Sequence, residues 1–277
     1  MDSWPPKYIE KTPENIIFGS LSKYLLSIVY VFIIVISYIL VVHFFQPTNK
    51  KPPGIKTHHQ DNKLSGTKDP KSGGFFTVFI LIHNLVLASY SLYTFINSFK
   101  LLNTTFHNEG VLSMYCDTNY TSWNNGMFEL VYWFYLSKYY ELIDTAIILI
   151  KRKRSSLLQT YHHSGAIISM YFGIRLCPST IFYFVVVNSF IHSIMYCYYT
   201  LTTLGFTPPG KKYITSMQIT QFIIGIVYAT YYVFSPVCGN KYQRYATMIN
   251  IIYVLPLIYL FVDFALKTYG PKKAKQN

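Results

Sequence analysis

Long runs of apolar residues recur along this chain, and short polar connectors separate them. A membrane-spanning helix needs about 20 apolar residues to cross a hydrocarbon core about 30 Å thick. Runs near that length lie at about 21–45, 75–98, 127–150, 157–175, 179–201, 213–235 and 246–266. The pattern therefore predicts an all-α, polytopic membrane protein with seven transmembrane helices.

The composition agrees with this prediction. Hydrophobic residues make up 51% of the 277-residue chain and charged residues only 13%, against roughly 25% charged residues in an ordinary soluble domain. No internal repeat or linker divides the sequence, so we expect a single integral-membrane domain over residues 1–277, with a polar tail from about 267. We expect no cleavable signal peptide, so that the first span serves as the insertion signal.

The net charge of +13 is concentrated in the connectors. In a soluble protein it would suggest nucleic acid, but between apolar spans it indicates anionic lipid or an anionic substrate. The connectors 46–74, 151–156 and 202–212, together with the tail, hold 16 of the 24 Lys and Arg residues. Because short cytoplasmic connectors are enriched in these residues, the C-terminus is predicted to be cytosolic and the N-terminus lumenal.

Other residues support a lumenal position for the remaining connectors, which carry fewer Lys and Arg residues. Asn103 and Asn119 begin glycosylation-acceptor patterns there. Cys116, Cys177 and Cys238 also fall there, where disulfides persist, and both a Cys116–Cys238 bridge and unpaired cysteines stay open. The chain ends in KKAKQN, which has the form of a retrieval address for the endoplasmic reticulum and equally that of a basic membrane anchor.

Polar side chains inside four predicted spans gather on one face of each helix. At about 100° per residue, Lys138, Glu141 and Asp144 fall within an arc of roughly 120°. Such charges are costly in hydrocarbon unless they are paired or hydrated. The next three helices carry similar faces, made of Gln159, His162 and His163; of Asn188, His192, Tyr196 and Tyr199; and of Thr215, Gln218 and Gln221.

These polar groups are also predicted to lie at one depth. Measured from the cytosolic ends at about 1.5 Å per residue, Asp144 and His162 lie about 9 Å in, Gln218 about 8 Å, His83 about 12 Å and His192 about 14 Å. A single polar side chain in a membrane bundle usually forms an interhelical hydrogen bond. Histidines, a lysine and carboxylates at one level instead predict a solvated site in the cytosolic half.

The histidines first raise the question of a metal. Membrane diiron enzymes need several histidine boxes of the HxxxH and HxxHH type, whereas only one segment resembles a box here and it starts with Gln159. No CxxC or compact zinc spacing is present. We therefore expect no metal, although a single ion held by His162, His163 and Asp144 stays open.

The same groups can act as acids, bases and nucleophiles without a metal. Imidazole can serve as a general base or accept an acyl group, and Lys and amide groups can stabilise an oxyanion. Acyl transfer or carbanion chemistry on a lipid substrate fits such a site. The cytosolic mouth is basic, which suits a phosphorylated carrier such as coenzyme A as well as simple anchoring; its residues are Lys151, Arg152, Lys153, Arg154, Lys211 and Lys212.

Four blocks, in order, resemble the ELO family of fatty acid elongases of the endoplasmic reticulum. HNLVLASYS (83–91) resembles a family segment in the second helix, KYYELIDT (138–145) matches KxxExxDT, HSIMYCYY (192–199) matches HxxMYxYY and TSMQITQ (215–221) matches TxxQxxQ. The resemblance implies seven helices, six of which enclose a tunnel for the acyl chain. It also implies a lumenal Cys116–Cys238 disulfide and location in the endoplasmic reticulum membrane.

The implied reaction condenses a long-chain acyl-CoA with malonyl-CoA to give 3-ketoacyl-CoA, carbon dioxide and free CoA, without a cofactor. The implied partners are these two thioesters, membrane lipid and the other enzymes of the elongation cycle; nucleic acid is not expected, and homo-oligomerisation stays open. The alternatives are a metal-dependent lipid-modifying enzyme, a seven-span receptor and a transporter. A receptor pocket would lie in the extracytoplasmic half, and a transporter usually shows repeat symmetry or broken helices.

The chain departs from the family at the histidine box, which is HxxHH in most members. Gln159 stands at the first position, and the family's proposed acyl acceptor is that first histidine. An amide cannot replace it as a nucleophile. Either His192 accepts the acyl group, or malonyl-CoA attacks the bound thioester directly while Gln159 orients the carbonyl; we favour direct attack.

We expect a division of roles among the site residues. His162, His163 and His192 handle protons and stabilise the enolate that decarboxylation leaves. Lys138, Glu141 and Asp144 orient these imidazoles, and Asp144 fixes a tautomer as a carboxylate partner does. The substrates are expected to contact His83, Asn84, Asn188, Tyr196, Tyr199, Gln218 and Gln221, with Lys151, Arg152, Lys211 and Lys212 at the CoA end.

Overall fold

The structure, a computed structural model, describes residues 19–47 and 74–271. Within these ranges it contains helices and no strand, which confirms the all-α class. The helices are α1 (Gly19–Leu25), α2 (Ile28–Phe45), α3 (Gly74–Cys116), α4 (Phe128–Tyr140), α5 (Leu142–Ile150), α6 (Leu157–Leu176), α7 (Thr180–Thr203), α8 (Lys211–Phe234) and α9 (Lys241–Tyr269). A single π-helical turn, Trp123–Met127, leads into α4.

Five of the described helices, α2, α3, α7, α8 and α9, are long and apolar enough to cross a membrane. The prediction of a polytopic membrane protein is thereby confirmed. The other two predicted spans are helical as well, but the first is divided between α4 and α5 at Glu141. The second, α6, contains Gln159 and two histidines, which lower its hydropathy. The count of seven spans stays a prediction.

The outer faces of the long helices are apolar. Phe44 of α2, Val227 of α8 and Ile252 of α9 are all exposed on the isolated chain. Exposed apolar surface on this scale is expected where helices face lipid. Inside the bundle, fully buried aromatic residues hold the start of α4 against α6 and α7, among them Trp123, Phe128, Tyr132, Tyr135 and Phe182.

One end of the bundle gathers the basic connectors, and we call it the charged end. Gln46, which follows α2, donates to the carbonyl oxygen of Ser155 at 3.0 Å, and Thr215 Oγ1 lies 3.4 Å from the hydroxyl of Tyr269. The exposed cations at this end include Lys151, Arg152, Lys153, Arg154, Lys211 and Lys212. The described connectors thus group as the charge count predicts, and the compartment that they face stays a prediction.

The opposite end holds a disulfide between Cys116, at the end of α3, and Cys238, before α9, and we call it the disulfide end. The bridge joins positions 122 residues apart in sequence, so it decides between the two alternatives that the sequence leaves open. Cys177 is buried and free. The exposed Asn103 lies in α3 and the exposed Asn119 in the turn that follows α3.

Polar side chains fix the connectors of the disulfide end by bonding to the backbone. Asp117 accepts the backbone N–H groups of Ser122 and Trp123 at 2.9 and 3.1 Å. Gln243 donates to the carbonyl oxygen of Cys177 at 2.8 Å. Buried backbone groups need such partners, and these bonds therefore allow short connectors to be packed against the helix ends.

Parts of the predicted organisation lie outside the described residues. These are the N-terminal 18 residues, most of the connector 46–74 and the lysine-rich end of the tail. The single domain over 1–277 and the retrieval address therefore stay predictions.

Candidate active site

A cavity of about 430 Å³ opens at the charged end between α3, α5, α6, α7, α8 and α9. Its volume lies in the range of about 300–1,000 Å³ that is usual for small-molecule sites. The structure brings predicted site residues from separate helices to its wall: Asn84, Glu141, Asp144, Gln159, His162, His163, His192, Tyr196, Tyr199, Gln218, Lys151 and Lys211.

Other predicted site residues lie off this wall. Packing against neighbouring helices buries four of them behind it: His83, Lys138, Asn188 and Gln221. Arg152 and Lys212 are exposed at the charged end but do not line the cavity. The expectation that these residues contact the substrates stays a prediction. Of the buried ones, His83 bonds to the wall residue Asp144 and Lys138 bonds to the wall residue Glu141.

Lys138 and Glu141 form a buried ion pair. Lys138 Nζ lies 2.7 Å from Glu141 Oε1 and 3.4 Å from Asn188 Oδ1, and it sits 4.0 Å from the centroid of the Phe134 ring. The two residues are only 5% and 3% exposed. Pairing, an amide and an aromatic face together allow these charges to persist in an apolar span.

Asp144 forms hydrogen bonds with residues of α3 and α7. His83 Nε2 lies 2.9 Å from Asp144 Oδ1, and the Tyr196 hydroxyl donates to Oδ2 at 2.7 Å. Among the described residues, Asp144 bonds to these two side chains and to none of His162, His163 and His192. The predicted role of Asp144 is corrected accordingly: it orients His83 and the chamber residue Tyr196.

Glu141 is the carboxylate closest to a chamber histidine. His192 Nδ1 lies 3.8 Å from Glu141 Oε1, which is too far for a hydrogen bond. The two side chains attract each other when the imidazole is protonated. Glu141 stands between α4 and α5, where the helix is interrupted, and its backbone N–H still bonds to the carbonyl oxygen of Ser137 at 2.9 Å.

Gln159 belongs to a chain of polar groups that runs from α2 to α6. Ser156 caps α6 by accepting the Gln159 backbone N–H at 3.1 Å. The Gln159 side-chain nitrogen lies 2.8 Å from His163 Nε2 and 3.4 Å from Thr145 Oγ1. Thr145 Oγ1 in turn lies 3.0 Å from the Tyr38 hydroxyl. Gln159, which stands where most of the family has the first histidine of the box, therefore holds His163 by a hydrogen bond.

His162 has a different partner, Tyr253 of α9. The Tyr253 hydroxyl lies 3.1 Å from His162 Nδ1 and donates to the backbone carbonyl oxygen of His162 at 3.1 Å. The Tyr253 ring packs so closely on α6 that a Cβ at Gly165 would collide with it. The two adjacent histidines of the box are thus held by different side chains.

Sequence reasoning missed Tyr38 and Tyr253. The chain contains 27 tyrosines, and a lone tyrosine in an apolar span has no periodic signal that would separate it from a packing residue.

The donor set gives no support to the single-metal alternative. Among the described residues, no group of three or more His, Cys, Asp or Glu side chains is placed to hold an ion.

The fold and the cavity define a multi-span helical membrane protein with a chamber of ionisable side chains at one end. The model of the GNS1/SUR4 family, ELO, matches residues 23–277. The chain belongs to this family, and the resemblance of its four sequence blocks is confirmed.

The chain is similar to proteins named as fatty acid elongases over part of their lengths. Fatty acid elongase sre1 of Dictyostelium discoideum is 34% identical over 165 residues, which cover 58% of this chain and 61% of that protein. Very long chain fatty acid elongase 5 of Mus musculus is 31% identical over 204 residues, or 71% and 66% of the two chains. Its Homo sapiens counterpart is 30% identical over 206 residues, or 72% and 66%. The chain thus spans slightly less than two thirds of each of these relatives.

Proposed function

We propose that this protein is a fatty acid elongase that condenses a long-chain acyl-CoA with malonyl-CoA. The products are 3-ketoacyl-CoA, carbon dioxide and free CoA. The observation that carries the proposal is the meeting of His162, His163 and His192 with Glu141 and Asp144 at one cavity. Membership of the ELO family and relatives named as fatty acid elongases support it.

The steps of the condensation define which groups the chamber must provide. Malonyl-CoA loses its carboxylate as carbon dioxide, and the electron pair stays on the α-carbon as an enolate. This carbon attacks the acyl thioester carbonyl, the C–S bond breaks and the CoA thiolate leaves. One proton is taken up per turnover, because a carboxylate is lost as carbon dioxide and a thiolate becomes a thiol. The site therefore needs donors for negative oxygens and a group that supplies a proton.

The chamber offers both. Imidazole N–H groups and the Gln159 amide can donate to the enolate and to the tetrahedral oxyanion. Gln159 cannot accept an acyl group, so we keep direct attack by the malonyl carbon as the favoured route. Transfer through His192 stays the alternative, and its approach to Glu141 at 3.8 Å supports a charged imidazole on that route.

The wall of the cavity suits both parts of a thioester. Lys151 and Lys211 border it at the charged end, where cations attract phosphate groups. Ile80, Ile147 and Phe261 contribute apolar surface to the same wall, against which the first carbons of an acyl chain can pack. A longer tunnel between six helices is part of the proposal, as are the endoplasmic reticulum membrane, the lumenal N-terminus, the absence of a cofactor and contacts with other elongation enzymes.

The test is condensation by the full chain in microsomal membranes fed acyl-CoA and labelled malonyl-CoA. We expect release of carbon dioxide and a 3-ketoacyl-CoA, and a loss of about 100-fold or more in His162→Ala and His163→Ala. His107→Ala is the matched control, because this exposed histidine lies in α3 away from the cavity. A wild-type rate in folded His162→Ala would overturn the proposal. A panel of saturated and polyunsaturated acyl-CoAs then defines the preferred chain.

A further inference from the structure

The two histidines of the box differ in which ring nitrogen is left available. His162 and His163 both line the cavity. Tyr253 contacts Nδ1 of His162, whereas Gln159 contacts Nε2 of His163. Among the described residues, His162 Nε2 takes part in no hydrogen bond.

The proton positions at His162 follow from counting donors. The Tyr253 hydroxyl has one proton, and a backbone carbonyl oxygen can only accept. Both contacts of that hydroxyl, at 3.1 Å each, are hydrogen bonds only if it donates to the His162 carbonyl oxygen and accepts from Nδ1–H. Neutral imidazole carries one N–H. His162 therefore has its proton on Nδ1 and a lone pair on Nε2.

At His163 the opposite nitrogen is occupied. A 180° rotation of the Gln159 amide exchanges its N–H donor and its carbonyl acceptor. Either way round, the amide forms a hydrogen bond with Nε2 of His163, at the 2.8 Å observed. His163 cannot exchange a proton with substrate at Nε2 unless this bond breaks.

The Tyr253 ring is fixed on more than one side. It stacks on Tyr161 with 5.7 Å between the ring centroids, and the Tyr161 hydroxyl donates to the Tyr253 carbonyl oxygen at 3.1 Å. Gly165 leaves room for the ring directly against the backbone of α6. A side chain held in this way keeps its hydroxyl beside His162, as a group that orients a catalytic imidazole must.

We infer that Tyr253 is a positioning residue that holds His162 with Nδ1 protonated and Nε2 open to the chamber. His162 Nε2 takes up the proton that condensation consumes, and the Nε2–H bond then breaks as the S–H bond of free CoA forms. Tyr253 keeps accepting from Nδ1–H throughout. His163 instead anchors Gln159. This inference rests on the proposed function and divides the work of the two histidines.

Tyr253→Phe tests the inference, because it removes only the hydroxyl. Tyr161→Phe is the matched control, since it keeps the ring that stacks on Tyr253 and removes only a hydroxyl bonded to the Tyr253 backbone, without touching a histidine. In the full chain in detergent we expect kcat to fall about tenfold in Tyr253→Phe, with KM values for both thioesters within twofold. Tyr161→Phe leaves both parameters within twofold of wild type.

A second measurement needs no turnover. Nitrogen-15 NMR of histidine-labelled protein distinguishes protonated from bare ring nitrogens, and His162→Gln identifies the His162 signals. We expect a bare Nε2 in the wild type and in Tyr161→Phe, and a mixture of tautomers in Tyr253→Phe. A proton on Nε2 of wild-type His162 overturns the inference, even if Tyr253→Phe fails to fold. So does a folded Tyr253→Phe with wild-type kcat. Absence of condensation with a bare Nε2 refutes the proposed function alone.

Discussion

The two ends of the helix bundle differ in the hydrogen-bond partners of their buried polar side chains. At the disulfide end, Asp117 and Gln243 bond to backbone groups of neighbouring connectors. At the charged end, side chains bond mainly to other side chains, as Lys138 does to Glu141 and Asp144 does to Tyr196. The first arrangement closes connectors, and the second surrounds a cavity.

This difference in bonding partners predicts different effects of substitutions at the two ends. At the disulfide end the bonding partners are backbone groups, whose positions the helix ends fix. A substitution there weakens the packing of a connector and does not change any side chain at the cavity. Side-chain partners at the charged end hold charges and ring nitrogens towards a space that a substrate can enter. Substitutions at the disulfide end should therefore change stability alone, and those at the charged end should change turnover as well.

The largest effect is expected from breaking the buried ion pair. Lys138→Met leaves Glu141 buried without its cation, at a cost of about 3–5 kcal/mol in the free energy of unfolding. The double variant Lys138→Met/Glu141→Gln removes both charges and should recover most of that stability. It should not recover condensation if the charges serve the chemistry. Thermal unfolding in detergent and condensation by the same samples check both statements.

The double variant also shows whether the ion pair serves packing or chemistry. If it regains both stability and turnover, the pair is a packing device and the charged end loses its distinction. If neither is regained, the two charges act on the fold through contacts other than their own pairing.

The next largest effect is expected at the disulfide. Cys116→Ser/Cys238→Ser opens a link between positions 122 residues apart and should lower the free energy of unfolding by about 2–4 kcal/mol. Turnover per folded molecule should stay within twofold, because the bridge lies at the end opposite the cavity. Cys197→Ser, at an exposed free cysteine, is the control. A loss of turnover in folded double variant would contradict the separation.

Much of the helix arrangement is predictable, because apolar length and charge are local properties of a segment. A helical face and a count of residues from each helix end were sufficient to bring His162, His192 and Gln218 to one cavity. The choice of hydrogen-bond partners was not predictable. A wheel drawn through 138–145 assumes one regular helix, whereas α4 ends at Tyr140 and α5 begins at Leu142.

The error about Asp144 is one of partner choice. Asp144 lies against His83 and Tyr196, and Glu141 is the carboxylate nearest to His192. Partners across helices depend on rotations that sequence periodicity does not fix. The same reason explains why Tyr253 could not be distinguished from other tyrosines before its contact with α6 was known.

A matched pair of threonines gives a smaller effect and a sharper comparison. Thr145 Oγ1, at the charged end, lies 3.0 Å from the Tyr38 hydroxyl. Thr180 Oγ1, at the start of α7, lies 3.0 Å from Thr247 Oγ1. Both threonines are buried, so Thr145→Val and Thr180→Val should each cost about 1–2 kcal/mol in the free energy of unfolding.

Only Thr145→Val should also lower kcat, because Thr145 contacts the Gln159 amide that holds His163. We expect a fall of a few-fold, with Thr180→Val unchanged once its lower stability is allowed for. Thermal unfolding and condensation rates on the two variants check this. Equal kcat values for both would show that the Tyr38–Thr145–Gln159 chain is structural.

The smallest effect concerns pH at the disulfide end. Burial raises the pKa of the Asp117 carboxyl above its ordinary value of 3.8, while the backbone N–H groups of Ser122 and Trp123 oppose that shift. The folded protein therefore binds this proton more tightly than the unfolded chain does. The resulting stabilisation is complete below pH 3.8 and is lost as the pH rises through the folded-state pKa.

Asp117→Asn removes this titration and keeps one acceptor for the backbone N–H groups. Relative to that variant, the wild type should lose stability as the pH rises from 3.8 towards the raised pKa, with kcat equal in the two proteins at any one pH. Thermal unfolding in detergent across this interval measures the difference. A wild type that gains stability relative to Asp117→Asn over the same interval would mean that the N–H groups outweigh burial and that this carboxylate is held charged, as a connector built only from backbone bonds would favour.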